Sequence, residues 1–138
     1  MRNKIMFLAA LLVLGVAGAA FAADAAQSSC PVSGEPIDKA EFVDWQGQRV
    51  YFCCPKCVGT FKKDPEKYFE KMAAEGVVLE SVQTHDPVCN MEHGPEGIHA
   101  DYKGRRIYFC SDYCKKTFEK DPEKYLDKLP GEQPKKKS

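Results

Sequence analysis

The sequence predicts a small α+β protein made of two tandem modules, each a β-hairpin followed by short helices. Three observations carry that prediction. The segment Tyr51 to Phe69 matches Tyr108 to Leu126 at an offset of 57, with 12 of its 19 positions identical. An apolar–polar alternation flanks Gln46-Gly47 and again Lys103-Gly104, the pattern of two strands joined by a tight turn. Each cysteine cluster is followed by Asp-Pro-Glu, a helix start, at Asp64 to Glu66 and at Asp121 to Glu123.

The elements follow in chain order. Residues 1–22 read as a secretory signal: Arg2 and Lys4 precede the apolar run Ile5 to Ala20, and Ala20-Phe21-Ala22 offers a small-x-small cleavage site. That run is too short and too glycine-broken to predict a membrane span. The expectation is a mature chain starting at Ala23, soluble and exported, periplasmic in a Gram-negative cell. The first module is placed at 28–76, a linker at 77–84, the second module at 85–129 and a polar, disordered tail at 130–138. The repeat continues upstream, pairing Asp44 with Asp101, Trp45 with Tyr102, Gly47 with Gly104 and Arg49 with Arg106, while Pro31-Val32 aligns with Pro87-Val88 at an offset of 56. In each copy the second strand runs Arg49 to Phe52 or Arg106 to Phe109, with the turn glycine at positive φ. A short helical turn leads through Phe61 or Phe118. The final helices are expected from Pro65 to about Glu75, closed by Gly76, and from Pro122 to Leu129, stopped by Pro130, with Asp64 and Asp121 as N-caps. Phe52, Phe61, Tyr68 and their counterparts read as core.

Composition removes several function classes. The chain has 138 residues, with 20 basic and 20 acidic side chains, and without Arg2 and Lys4 the balance is 18 to 20. This gives no electrostatic reason to expect nucleic acid, or an anionic membrane once the signal is cleaved. Lys135 to Lys137 read as a solvated tail. No Ser-His-Asp set, paired catalytic carboxylates or phosphate-binding glycine loop is recognisable, so the chain is not read as an enzyme.

Seven cysteines in so short a chain are the informative feature. Cys30, Cys53, Cys54 and Cys57 belong to the first copy, and Cys89, Cys110 and Cys114 to the second. A thiol on a loop, one at a strand end and one in the first turn of a helix is how small metal-binding modules gather thiolates distant in sequence. The helix start is expected to lower the thiol pKa of Cys57 and Cys114. The first copy offers four thiols. The second offers three, with Met91, His85, His93 and His99 as additional donors, a set that suits Cu(I) or a transferable ion better than a closed structural zinc site. Disulfide bonding remains open in an oxidising compartment, and Cys54-Pro55-Lys56-Cys57 has the C-x-x-C form of thiol–disulfide oxidoreductases.

Asp86-Pro87-Val88-Cys89 with Met91, Tyr108-Phe109-Cys110-Ser111-x-x-Cys114, Phe118 and Asp121-Pro122-Glu123-x-Tyr125 resemble the YHS domain, a group overlapping the TRASH-type metal-binding modules. The first copy shares the closing Asp64-Pro65-Glu66-Lys67-Tyr68. The resemblance implies a treble-clef-like zinc-finger fold and heavy-metal homeostasis, with copper or zinc as the ion and a metal export system or metallochaperone as partner. Two departures stand out: Cys30-Pro31-Val32-Ser33-Gly34-Glu35 replaces the usual Asp-Pro-Val-Cys-Gly-Met, and Asn90 replaces its glycine, which predicts a different loop conformation in the second copy. The sequence thus points to capture, buffering or transfer of an ion through Cys30, Cys53, Cys54, Cys57, Cys89, Cys110, Cys114 and Met91. The competing readings are an interaction module with structural cysteines and a redox protein.

Overall fold

The computed structural model describes residues 24–135. The segment 1–22, read above as a secretory signal, and the last lysines of the tail lie outside the described residues, of which no helix is long and apolar enough to cross a membrane. The fold is a small mixed α/β arrangement of short helices and several small sheets. In chain order it comprises β1 (Ala25–Ala26), β2 (Asp38–Trp45), β3 (Gln48–Phe52), α1 (Pro55–Phe61), α2 (Pro65–Ala74), β4 (Val77–Val78), β5 (Glu80–Ser81), β6 (His99–Tyr102), β7 (Arg105–Tyr108), α3 (Asp112–Lys120) and α4 (Glu123–Leu126). Strand β1 pairs in parallel with β4, β2-β3-β5 form an antiparallel sheet, and β6-β7 form a second hairpin.

The hairpin turns have two residues each, and both residues take positive φ: Gln46 and Gly47 at 44° and 82°, Lys103 and Gly104 at 46° and 75°. That is the turn whose twist matches the strands it joins, so the left-handed demand falls on Gln46 and Lys103 as well as on the glycines. Hairpin and helices close over aromatic cores. Phe61 sits 5.3 Å from Phe52, 5.7 Å from Phe69, 5.9 Å from Trp45 and 6.0 Å from Tyr68. Phe118 meets Phe109, Tyr102 and Tyr125 at 5.2, 6.0 and 6.2 Å. The first cluster carries two buried thiols, Cys30 and Cys57, and the second one, Cys114, so the cores fix these sulfurs.

Each hairpin tip reaches across to the other half of the chain. Gly47 packs against the side chain of Leu129, and a Cβ on Gly104 would strike the Phe69 carbonyl. Beside the second contact Arg105, fully buried, donates from Nη2 to Glu66 Oε1 at 2.6 Å and from Nη1 to Glu66 Oε2 at 3.2 Å, with its guanidinium 4.0 Å above the Phe69 ring. Gln48, at the matching position after the first turn, donates to the Arg106 carbonyl.

Two glutamines finish the sheets. Gln27 Nε2 donates to the Tyr51 carbonyl while its Oε1 accepts from the Tyr51 N–H. Gln83, 56 residues later, does the same for Tyr108. Each side-chain amide stands where a neighbouring strand's peptide would.

Several expectations need correction. The last helix is one turn, Glu123–Leu126, rather than Pro122 to Leu129. Lys128 and Leu129 bond back to Tyr125 and Leu126 in the tighter i→i−3 pattern, which carries Leu129 onto Gly47. Asp121 is not an N-cap; it closes α3, its N–H bonded to the Phe118 carbonyl. Asp64 does hold the N-cap position, but at φ −150° and ψ 73° its carboxylate makes no cap bond. The tail is not disordered from residue 130. Gly131, at φ +100°, brings the chain against the Asp44–Trp45 backbone, Gln46 N–H donates to the Glu132 carbonyl and Glu132 N–H to that of Asp44, and Gln133 bonds Gln46. The segment read as a linker carries β4 and β5, with Leu79 buried between them.

Candidate metal centre

The first cluster is assembled by a loop, a strand end and a helix start. Cys30 opens a turn in which its N–H donates to the Glu35 carbonyl and its own carbonyl accepts from Gly34, at φ +81°. Cys53 follows β3, Cys54 is the N-cap of α1, and Cys57 lies in its first turn. The sulfurs of Cys30, Cys53 and Cys57 all lie within 4.8 Å of one another. Cys54 Sγ is not in that mutually close set, yet it stands 3.7 Å from Cys53 and 3.7 Å from Cys57, and those two are themselves 3.7 Å apart.

The second cluster comprises Asp86, Cys89, Cys110 and Cys114, again within 4.8 Å of one another. Cys89 and Cys110 sulfurs are 3.4 Å apart, Cys110 and Cys114 3.7 Å. The turn that presents Cys89 repeats that around Cys30: Asp86 N–H donates to the Met91 carbonyl, and Asn90, at φ +58°, donates to the Asp86 carbonyl. The expected difference in loop conformation at Asn90 is therefore absent, because asparagine tolerates the left-handed region that Gly34 occupies in the turn around Cys30.

The bonds the two turns share set their residues in correspondence and reveal an exchange. Cys30 takes the place of Asp86, and Ser33 that of Cys89, with Ser33 Oγ 3.2 Å from Cys53 Sγ as Cys89 Sγ is near Cys110. Asp86 is fully buried, its Oδ1 accepting from the N–H of Val88 (2.7 Å) and Cys89 (3.3 Å) and its Oδ2 from Cys110 (2.8 Å). It is the member of this cluster that reading the cysteines alone missed. The available signal was the alignment at an offset of 56, which sets Asp86 opposite Cys30.

The amides at the corresponding three positions, Val32, Ser33 and Cys53, underlie the acidity of Cys30. Burial works to raise its pKa, but the Ser33 hydroxyl and the amides of Ser33, Cys53 and Val32 outweigh it and bring the thiol down to about 6. Cys30 is thus a thiolate doing the work of a carboxylate. Since its folded pKa lies below the ordinary 9.0, its contribution to stability is complete above that value and is lost as pH falls through about 6. The expected result is a step in ultraviolet thiolate absorbance near pH 6 in the metal-free, reduced protein, abolished in Cys30→Ser; a first step only at the ordinary cysteine pKa would contradict it.

Cys57 and Cys114 behave opposite to the helix-start expectation. Burial first, then the neighbouring thiols, pushes each up to about 12, with the Ser111 hydroxyl opposing this at Cys114. Desolvation and crowded sulfur exceed the attraction of a short helix's N-terminus. At the N-caps, Ser111 Oγ accepts from the Cys114 N–H at 3.3 Å, whereas Cys54 makes no side-chain cap bond. A serine cap of that kind contributes about 1 kcal/mol. The nearby Cys57 amide, then the Cys57 and Cys53 thiols, nevertheless hold the Cys54 thiol below its ordinary range.

The remaining candidates are placed elsewhere. Met91 is 63% exposed on the second turn. His85 Nδ1 faces Thr84 Oγ1, His99 Nδ1 faces the Gly97 carbonyl, and His93 Nε2 is buried; none of the three belongs to either cluster. None of the seven cysteines is joined in a disulfide.

Thiolates bound tetrahedrally at about 2.3 Å from an ion such as zinc are separated by about 3.8 Å. The sulfur spacings of 3.4 to 3.7 Å approach that edge in both clusters, so either can hold a thiophilic ion with little movement. A YHS domain is found at residues 84–128, which contain the whole second cluster. No curated protein and no solved structure is similar enough to the chain to count as a match.

Proposed function

We propose that the protein is an exported heavy-metal-binding protein in which the YHS domain at 84–128 and a diverged, treble-clef-like copy before it each hold a copper or zinc ion through cysteine thiolates. The observation that carries this reading is the presence of two sulfur clusters with metal-like spacing at equivalent places in the chain. The first gathers three mutually close thiols, with Cys54 beside them, and the second three thiols with a carboxylate. Soft sulfur favours Cu(I) first and Zn(II) second. The chemistry is capture, buffering and hand-over, with no bond-making catalysis, in the periplasm and toward an export system or metallochaperone. Because Cys57 and Cys114 are held protonated by burial, loading displaces protons and apparent affinity rises with pH.

The test is to purify the protein from the periplasm without added metal and to measure bound metals and free thiols together. About one Cu or Zn per cluster, with thiols that become reactive only after chelation, is the expected outcome. Metal-free protein whose cysteines are joined in disulfides that survive chelation would overturn it and favour the structural reading of the cysteines.

A further inference from the structure

The first cluster contains two overlapping sets of three sulfurs. Cys30, Cys53 and Cys57 form the inner set, buried at both ends. Cys53, Cys54 and Cys57 form the outer one, a triangle with every edge at 3.7 Å. The two share the Cys53–Cys57 edge. The second cluster has no outer set, because Ser111 stands where Cys54 does and its hydroxyl is engaged in capping α3.

Building on the metal-binding reading above, we infer that Cys54 is a transfer donor, and that an ion leaves the first cluster by exchanging Cys30 for Cys54 while Cys53 and Cys57 keep hold of it. One bond forms, from Cys54 Sγ to the ion, as the Cys54 proton passes to solvent. One bond breaks, to Cys30 Sγ, which keeps its electron pair and stays on the buried side of the cluster. The ion's oxidation state does not change. The exchange moves the ion from the buried side of the cluster to a half-exposed triangle, where an incoming thiolate can attack. Cys89 and Cys110 of the second cluster are open to an incoming thiolate, but the bond to the buried Cys114 must break there with no neighbouring thiol to replace it, so release is slower. The two clusters therefore differ in rate: the first hands over, the second retains.

The test uses the full mature chain loaded anaerobically with one Cu(I) per cluster and mixed with an excess of a chromogenic Cu(I) chelator. The wild type should release copper in a fast and a slow phase. Cys54→Ser keeps a hydroxyl able to cap α1 as Ser111 caps α3, so it should fold. Its fast phase should slow about tenfold while the copper bound at equilibrium and its affinity change less than about threefold. Ser111→Cys should accelerate the slow phase. The inference is overturned if Cys54→Ser leaves the fast phase intact, or if it loses copper at equilibrium as fully as Cys53→Ser, which would make Cys54 a permanent ligand. A wild type that retains no Cu(I) would instead overturn the metal-binding reading on which the inference rests.

Discussion

Asp86→Ala should destabilise the second half of the molecule by about 3 kcal/mol and empty its cluster, because it strands three backbone N–H groups that the carboxylate now satisfies. The cost is held to that size because Cys89 and Cys110 are exposed, so water can reach some of the freed donors. Urea unfolding followed by circular dichroism measures the loss, and metal analysis the emptied cluster. The informative comparison is Asp86→Cys, which writes the first cluster's solution into the second. It should recover much of the lost stability at neutral pH, since a thiolate accepts the same amides around Cys30. Equal loss in the two variants would show that the amides are not what Asp86 serves. Burial works to raise the Asp86 pKa, but the amides of Cys110, Val88 and Cys89 keep it below the ordinary 3.8. Its contribution is thus fully present above about pH 4 and is lost as pH falls through the lowered value.

The second large effect is expected at the buried ion pair between the halves. Glu66→Ala leaves the Arg105 guanidinium inside the fold with the Lys103 carbonyl and the Phe69 ring, and only the longer-range attraction of Glu123 to balance its charge. An uncompensated buried charge costs about 3 to 5 kcal/mol, and the lower figure applies because Glu66 is itself 47% exposed and water can partly replace it. Arg105→Met removes the charge and fills much of the same volume, so it should cost less than Glu66→Ala, about 1 kcal/mol. Thermal unfolding of the two variants decides the matter. An Arg105→Met protein less stable than Glu66→Ala would mean that the guanidinium is held by its contacts rather than by its charge balance.

The hairpins, the short helices and the aromatic cores were legible because they rest on local patterns: alternation around Gln46-Gly47 and Lys103-Gly104, and Phe61 and Phe118 at matched positions. So was the gathering of Cys53 with Cys57 and of Cys110 with Cys114, since a strand end followed by a helical turn brings such residues together. What stayed hidden depends on contacts across long separations. The role of Asp86 comes from the Cys110 amide, 24 residues away. The order in the tail comes from backbone bonds between Glu132 and the first hairpin, which no local signal in Gly131-Glu132-Gln133 announces. The thiol pKa values of Cys57 and Cys114 were misjudged for a similar reason: helix position can be read from sequence, whereas burial and the number of neighbouring sulfurs are properties of the packed core.

The glutamine side chains against Tyr51 and Tyr108 have a consequence for life at high concentration. A strand with open N–H and C=O groups invites another chain to dock along it, and short hairpins are prone to growing into stacks in this way. Gln27 and Gln83 occupy those hydrogen-bonding places with one amide each, as a plug rather than a further strand. The hairpins that carry Cys53 and Cys110 are thereby kept from templating neighbours, and the thiol clusters at their ends remain open to an ion instead of being buried in an aggregate.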